Sequence, residues 1–329
     1  MSCLLPVPRV TGYSKCYAVF VKRTTALTLL PAVVLTLLAI DSLGAQSAKQ
    51  TEQHPFIHNG YGRPYLVYRP AGLSSHPPVV FMLGGTGSSA RSASEEFSWK
   101  NEADKNGFLV VFPEPLPREP EKAFDRHTNL TFWEMQGSRS HVPPAGREPV
   151  DDDGYLMALL KEITVREHVD RRRMYFAGFS SGSGMVQLFA SLHPQVVTAI
   201  ASVATPLMQP PLRLARPVPI LYIHGDLDEQ FSGFEVNSPD FATTPHGNWV
   251  TWGYLNGCNL QRARKTNWGV ELYWKGCKNN VQVIADFVRD LGHEWLGGTD
   301  NAWNAKHQPN DPLNFTDMAW RFFESVRSR

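Results

Sequence analysis

A serine with glycine two residues away on each side is the first feature of this sequence that could carry covalent chemistry. The segment Gly178-Phe179-Ser180-Ser181-Gly182 fits the pattern G-x-S-x-G. That pattern is typical of a nucleophilic serine on a strained strand-to-helix turn, where neighbouring side chains have no room. Of the three nearby serines, only Ser180 has glycine two residues away on both sides, so Ser180 rather than Ser181 or Ser183 is the candidate nucleophile. A Gly/Ser-rich loop can also match the pattern, and the surrounding elements therefore decide its meaning.

Two later segments supply a candidate acid and a candidate base. His224-Gly225-Asp226-Leu227-Asp228 directly follows an apolar run, and carboxylates just past a strand lie where open α/β sheets form their sites. Asp226 and Asp228 compete for this role, and either could instead form a turn. His293 then completes the order Ser, Asp, His, in which the histidine acts as base and the carboxylate orients it. We interpret His224 as a structural residue that supports the acid loop.

A glycine-rich turn, Gly84-Gly85-Thr86-Gly87, follows an earlier apolar run. Acyl transfer needs preformed backbone N–H donors for a developing oxyanion, and glycine lets the chain approach that charge closely. We assign the two donors to the backbone N–H groups of Thr86 and Ser181. A nucleotide-binding P-loop would require a lysine that this turn lacks.

Alternating short strands and helices must position these residues. The sequence predicts strands at 65–68, 78–83, 108–112, 174–177, 196–203, 219–223 and 281–288. It predicts helices at 151–163, 184–192, 249–255 and 316–326. This alternation predicts an α/β fold with a mainly parallel central sheet and helices on both faces. The Pro-rich stretch 113–147 is predicted to be an insertion that lines the site.

The N-terminal residues have the pattern of a secretory signal peptide. Lys22 and Arg23 precede the apolar run 26–40, and small and polar residues follow up to Ala45. A basic region, a short apolar core and a small-residue site are typical of such a signal. Pro31 and the short run argue against a stable membrane anchor. We therefore expect residues 1–45 to be a leader with an extension, and 46–329 to be one exported catalytic domain.

Cysteine usage and charge restrict the partners of the mature chain. Cys3 and Cys16 fall in the leader, so Cys258 and Cys277 remain as an even pair, which predicts a disulfide in an exported protein. Two cysteines without a nearby histidine pair do not make a zinc site. The formal net charge of +1 gives no reason to expect a nucleic-acid partner.

From about Val79 to its C-terminus the chain resembles secreted esterases of the polyhydroxybutyrate depolymerase and feruloyl esterase group. The matching stretches are PPVVFMLGGTG, FLVVFPEP, VDDDGYL, RRRMYFAGFSSGSGM, VPILYIHGDLD, LNGC and GHEWLGG. The resemblance implies the α/β-hydrolase fold and hydrolysis of carboxylic esters through an acyl-enzyme, without cofactor or metal. Because the family pattern is H-G-x-x-D, it also implies that Asp228 rather than Asp226 is the acid. The family's paired cysteines fall where Cys258 and Cys277 lie.

The sequence departs from the usual residues of that family at four positions outside the triad. Gly84 stands where histidine is usual, Thr86 where cysteine is common, Ser183 where glycine is usual and Leu296 where proline is usual. The glycine at position 84 bears on how the oxyanion turn is supported, and on any substrate inferred from close relatives.

Two tryptophans are candidates for binding substrate. Trp133 lies in the insertion and Trp295 lies two residues after the base, and such rings could stack on a sugar or an aromatic acid. Each could equally be a core residue. In the family that the chain resembles, dedicated degraders of solid polyester usually carry a linker and a surface-binding domain after the catalytic domain, and this sequence stops just past the predicted closing helix. We therefore expect a small or soluble ester, such as an acyl or hydroxycinnamoyl group on a sugar, ahead of solid polyester. The alternatives are a serine peptidase of the prolyl-oligopeptidase type and a catalytically weak binding protein on this fold.

Overall fold

The computed structural model describes residues 49–135, 150–208, 211, 213–231, 249–299 and 313–326, and one ten-stranded sheet runs through them. Its strands in chain order are β1 (Gln50–His54), β2 (Tyr65–Arg69), β3 (Val79–Leu83), β4 (Leu109–Pro113), β5 (Met174–Phe179), β6 (Ala199–Val203), β7 (Ile220–Gly225), β8 (Leu260–Lys265), β9 (Gly269–Lys275) and β10 (Val283–Val288). Their order across the sheet is β1-β2-β4-β3-β5-β6-β7-β10-β9-β8.

The six adjacent strands from β4 to β10 run parallel, while β1, β2, β9 and β8 pair antiparallel at the two edges. Helices cover the sheet, and they are α1 (Ala90–Glu96), α2 (Trp99–Asn106), α3 (Asp152–Arg166), α4 (Ser181–Leu192), α5 (Trp249–Leu255) and α6 (Phe315–Ser325). The predicted α/β class with a mainly parallel sheet is confirmed.

Strand β3 shows why both faces of the sheet are covered. All five of its residues are buried, as expected for a parallel strand between two helical layers. Phe81 belongs to one apolar cluster with Leu159 of α3 and Phe189 of α4. Val80 belongs to a second cluster with Trp320 of α6. Because successive side chains point to opposite faces, one short strand contributes to both halves of the core.

A small hairpin lies within the predicted insertion. Leu116–Pro117 pairs antiparallel with Thr131–Phe132, and we call residues 116–132 the 116–132 hairpin. The buried Asn129 side chain fills its long loop, donating to the carbonyls of Glu119 and Ala123 at 3.0 Å each. These bonds satisfy polar groups that a loop cannot pair by strand formation, so the loop has a defined path. Residues 136–147 of the insertion lie outside the described residues.

A disulfide joins Cys258, which lies just after α5, to Cys277, which lies just after β9. The predicted leader at 1–45 lies outside the described residues. Within the described ranges, none of the helices has the length and apolarity needed to cross a membrane.

Candidate active site

The candidate nucleophile lies on a sharp turn between β5 and α4. Ser180 has φ 53° and ψ −124°, a backbone conformation that is strained for a residue with a side chain. The two flanking glycines make this turn possible, because a Cβ at Gly178 would lie 2.4 Å from the carbonyl oxygen of Gly182. A Cβ at Gly182 would lie 2.3 Å from the carbonyl oxygen of Leu83. The glycines at both second positions are therefore steric requirements of the turn.

The structure brings the predicted base and acid to this serine. His293 Nε2 lies 2.9 Å from Ser180 Oγ, and His293 Nδ1 lies 2.7 Å from Asp228 Oδ2. Ser180, Asp228 and His293 follow the carboxyl ends of β5, β7 and β10 respectively. Because these strands are parallel, their carboxyl ends meet at one edge of the sheet, and residues 113 positions apart come into contact.

The electrostatics of Asp228 suit an orienting carboxylate. Its side chain is fully buried, and burial by itself would raise its pKa. The hydrogen bond and charge of His293 and the nearby His224 outweigh burial, and they hold the pKa of Asp228 below its usual range. The backbone N–H of Gln230 also donates to Asp228 Oδ1 at 2.9 Å. An ionised Asp228 places the proton of His293 on Nδ1 and leaves Nε2 free to accept from Ser180.

The competing carboxylate, Asp226, has a different environment. Its loop is joined to the turn that leads to His293, because the N–H of Leu227 donates to the Leu291 carbonyl at 2.9 Å. Burial raises the pKa of Asp226, and the neighbouring backbone N–H groups of Asp290 and Leu291 only partly offset the effect. Asp226 thus lies beside the loop that carries the candidate base, while Asp228 contacts His293 itself.

A buried pair lies behind the acid. The hydroxyl of Tyr222 lies 2.8 Å from His224 Nδ1, and His224 Nε2 lies 3.9 Å from Asp228 Oδ2. Tyr222 and His224 both lie on β7, and both side chains are buried. This position agrees with the interpretation of His224 as support for the acid loop.

The two residues assigned as oxyanion donors border the candidate nucleophile, Ser180. Ser181 is the first residue of α4, so its N–H belongs to a helix N-terminus, where amides lack intrahelical partners and favour negative charge. Thr86 lies in a turn closed by a 3.1 Å bond from Ser88 N–H to the Gly85 carbonyl. A Cβ at Gly85 would lie 3.0 Å from Ser180 Cβ, which shows how closely this turn approaches the nucleophile.

A cavity of about 250 Å³ opens above Ser180 and His293. Its wall includes Thr86, together with residues that no motif in the sequence indicates: Glu96 and Phe97 at the end of α1, Arg118 and Leu130 of the 116–132 hairpin, and Gln230 after the acid. The predicted insertion therefore does border the site. Within the described ranges, no group of three or more His, Cys, Asp or Glu side chains could hold a metal ion.

The expectation that Trp133 and Trp295 stack on substrate is wrong, because both side chains are completely buried. Trp295 packs edge-on against Phe97, and its indole N–H donates to Thr316 at 3.1 Å. Trp133 stacks on the ring of Tyr155. Both rings fill the core beneath the site, and neither presents a face to the cavity.

The chain is similar to known esterases in sequence. Residues 63–206 match the family model described as Esterase PHB depolymerase, a range that includes Thr86 and Ser180. The bifunctional acetylxylan esterase/xylanase of Neocallimastix patriciarum is 24% identical over 239 residues, which are 71% of this chain and 31% of that protein. Feruloyl esterase B of Piromyces equi is 29% identical over 154 residues, 44% of this chain and 29% of that protein. The alignments thus span about a third of these relatives.

A solved structure shares the fold. The acetyl xylan esterase from Aspergillus awamori superposes with a TM-score of 0.57 at 12% identity, covering 84% of this chain and 99% of that one. The architecture described above is therefore an α/β-hydrolase fold. Within this fold, residues 63–206, which are less than half of the chain, are similar to the Esterase PHB depolymerase family.

Proposed function

We propose that this chain is an exported serine esterase that hydrolyses carboxylic esters through an acyl-enzyme. The observation that carries the proposal is the hydrogen-bonded series of Ser180, His293 and Asp228 beside an open cavity. The similarity to acetylxylan and feruloyl esterases supports the same reaction class.

Each group has a role that its geometry suits. His293 Nε2 accepts the proton of Ser180 Oγ as the oxygen attacks the ester carbonyl, and Asp228 stabilises the imidazolium that forms. The carbonyl oxygen becomes an oxyanion that the N–H groups of Thr86 and Ser181 stabilise. Collapse of this intermediate expels the alcohol, which takes the proton from His293 and leaves an acyl group on Ser180. Water, activated by the same histidine, then releases the acid.

The substrate proposal follows from the cavity and the relatives. The acetylxylan and feruloyl names of the relatives favour an acyl or hydroxycinnamoyl group on a sugar. The described cavity of about 250 Å³ lies below the usual range of roughly 300–1,000 Å³ for pockets that enclose a drug-sized ligand. This size favours acetyl or another short acyl group over a bulky one.

Export and domain organisation remain part of the proposal. The leader pattern at 1–45 is compatible with the disulfide between Cys258 and Cys277, because disulfides persist in oxidising compartments. We propose residues 46–329 as the single exported domain, with an ester as its partner and no nucleic acid.

Turnover of p-nitrophenyl acetate, p-nitrophenyl butyrate, methyl ferulate and acetylated xylan tests the function. We expect the wild-type protein to hydrolyse at least the acetate ester, and Ser180→Ala to lose about 10⁴-fold or more in kcat. Ser181→Ala is the matched control, since it removes an adjacent hydroxyl but keeps the backbone N–H. No turnover of any ester would favour the binding-protein alternative, while hydrolysis of a prolyl p-nitroanilide alone would favour the peptidase.

A further inference from the structure

Thr131 holds the turn that carries the oxyanion donor through two hydrogen bonds. We call residues 84–88 the oxyanion loop. The backbone N–H of Gly87 donates to the Thr131 carbonyl at 2.9 Å, and Thr131 Oγ1 donates to the carbonyl of Ser88 at 2.6 Å. Thr131 is buried, so water does not compete freely for these bonds. A single residue of the 116–132 hairpin thus fixes two consecutive residues of the loop.

These two bonds lie directly after the donor itself. The bond from Ser88 N–H to Gly85 closes the turn and leaves the Thr86 N–H outside it. Gly87 occupies the third position of this turn with φ 86°, the left-handed value that a type II turn requires there. The direction of the Thr86 N–H therefore depends on how firmly residues 87 and 88 are held.

Position 84 offers no side chain to support the loop from its other end. A Cβ at Gly84 would lie 2.6 Å from Ser88 Cβ, so the packing of the loop itself excludes a larger residue there. Support must come from a neighbouring segment, and Thr131 supplies it.

The hairpin is itself anchored and can act as a support. Glu114, just before the hairpin, accepts from the N–H of Ala90 at 2.6 Å, and Ala90 is the first residue of α1. Arg63 Nε donates to the Glu114 carbonyl at 3.2 Å. In the hairpin the N–H of Arg118 donates to Leu130 at 3.0 Å, directly before Thr131. The oxyanion loop is thus tied to a segment that is tied in turn to the buried interior.

We propose that Thr131 is a positioning residue, whose hydroxyl keeps the Thr86 N–H directed at the oxyanion formed on Ser180. This inference rests on the proposed function, since an oxyanion donor matters only if Ser180 attacks an ester. Thr131 does not touch the reacting atoms, and its effect passes through Gly87 and Ser88. Because the oxyanion exists only in the transition state and intermediate, loss of this support should lower kcat more than it changes KM.

The experiment compares Thr131→Val, Thr131→Ser and Thr128→Val in the full chain, with p-nitrophenyl acetate as substrate. Valine keeps the shape of Thr131 but removes the hydroxyl, and serine restores the hydroxyl. Thr128 is the matched control, because its hydroxyl donates to Asp125 at 2.9 Å within the same hairpin. We expect Thr131→Val to lose about tenfold in kcat with KM changed less than twofold, and the other two variants to stay near wild type.

A second readout examines the oxyanion hole without turnover. A boronic acid adds to the serine oxygen and places one of its oxygens where the oxyanion forms. Its inhibition constant should rise in Thr131→Val by about the factor lost in kcat, and should remain near wild type in Thr131→Ser.

The outcomes separate this inference from the proposed function. If the wild-type protein hydrolyses the ester and Thr131→Val has the same kcat, the role of Thr131 is overturned while the proposed esterase function stands. An equal loss in Thr131→Val and Thr131→Ser, accompanied by a lower Tm, would also overturn it, because the residue would then be only structural. No ester turnover by the wild-type protein would instead overturn the proposed function.

Discussion

Arg63 and Asp152 form an ion pair of 2.7 Å in the interior, with only 1% of each side chain exposed. The guanidinium carbon of Arg63 lies 3.7 Å from the centre of the Tyr155 ring. The carboxylate of Asp152 also accepts from the N–H of Glu134 at 2.8 Å. One buried pair thus connects the segment before β2, the first turn of α3 and the chain that leaves the 116–132 hairpin.

Removal of one partner should therefore be costly. We expect Arg63→Met to lower the free energy of unfolding by about 3–5 kcal/mol, because it leaves the Asp152 carboxylate buried without its counter-charge. Arg166→Met is the matched control, since Arg166 is half-exposed in its pair with Glu162 and should cost under about 1 kcal/mol. Urea unfolding of the two variants measures the difference. An equal loss of unfolding free energy in Arg63→Met and Arg166→Met would show that the buried pair contributes no more than the exposed one.

The acid assignment makes a second prediction. Asp228→Asn should lower kcat by about 10⁴-fold, because the amide no longer fixes the tautomer of His293. Asp226→Asn should have a far smaller effect on kcat, since it is Asp228 that hydrogen-bonds the imidazole of His293. Steady-state kinetics with a p-nitrophenyl ester measures both. If Asp228→Asn and Asp226→Asn lose comparable amounts of kcat and both keep the wild-type Tm, the assignment of Asp228 as the acid is contradicted.

The disulfide makes a third prediction. Cys258 and Cys277 are 19 residues apart, and closing a loop of that length stabilises a protein by about 3 kcal/mol on the chain-entropy model. Reduction, or a double substitution to alanine, should lower Tm by several degrees. The oxidised mature protein, denatured without reductant, should show no titratable thiol from this pair. Two reactive thiols in that assay would rule out the bridge.

The fourth prediction concerns pH and Asp286 on β10. Burial and the neighbouring Glu271 on β9 raise the pKa of Asp286 to about 7. The unfolded chain has a value near 3.9, so between about pH 4 and pH 7 the folded state retains a proton that the unfolded state has released. Stability from this group is present below pH 4 and falls as pH rises to 7, by about 1.4 kcal/mol per pH unit at most.

Asp286→Asn should remove this dependence. The free energy of unfolding of the variant minus that of wild type should increase from pH 5 to pH 8, as measured by urea unfolding at each pH. Asp317→Asn, which removes a partly exposed carboxylate paired with Arg321 in the first turn of α6, is the matched control over the same range. A constant difference for Asp286→Asn would show that its carboxyl does not titrate in this window.

The parallel centre of the sheet could be predicted because its strands are continuous apolar runs. The outermost strand at each edge could not. Strand β1 (QTEQH) and strand β8 (LQRARK) are mostly polar and largely exposed, and neither has the apolar alternation that indicates a half-buried strand. They form because the backbones of β2 and β9 offer unpaired hydrogen-bonding groups. Helix α4 also begins at Ser181, three residues before its predicted start, since the nucleophile turn leads straight into it.

Some residues of the candidate site could also be predicted from the sequence, and others could not. Ser180 could be predicted because the turn requires glycine at positions 178 and 182. His293 could be predicted because it completes the chain order Ser, Asp, His that is usual for α/β-hydrolases. The choice between Asp226 and Asp228 required the family resemblance, because two carboxylates after one strand have equal claims. Arg118 had no signal at all, since its place in the cavity wall depends on the path of a hairpin loop.

Trp133 and Trp295 were predicted to bind substrate because of their residue type, but both side chains are buried in the core. Large aromatic rings serve equally well in a core and at a cavity, so position along the chain does not separate the two roles. Trp295, only two residues from the base, turns inward toward Phe97 and Phe315.

Adjacent residues of the 116–132 hairpin face different neighbours. Leu130 borders the cavity, whereas Thr131 contacts the oxyanion loop. Successive residues of an extended segment point to opposite sides, so deletion of one residue here would exchange the two positions. If the proposed function holds, substitution at 130 changes which acyl group enters during evolution, whereas a change in length disturbs the oxyanion loop as well. Diversification of the proposed activity should therefore proceed by exchange of side chains in this stretch, with its length kept constant.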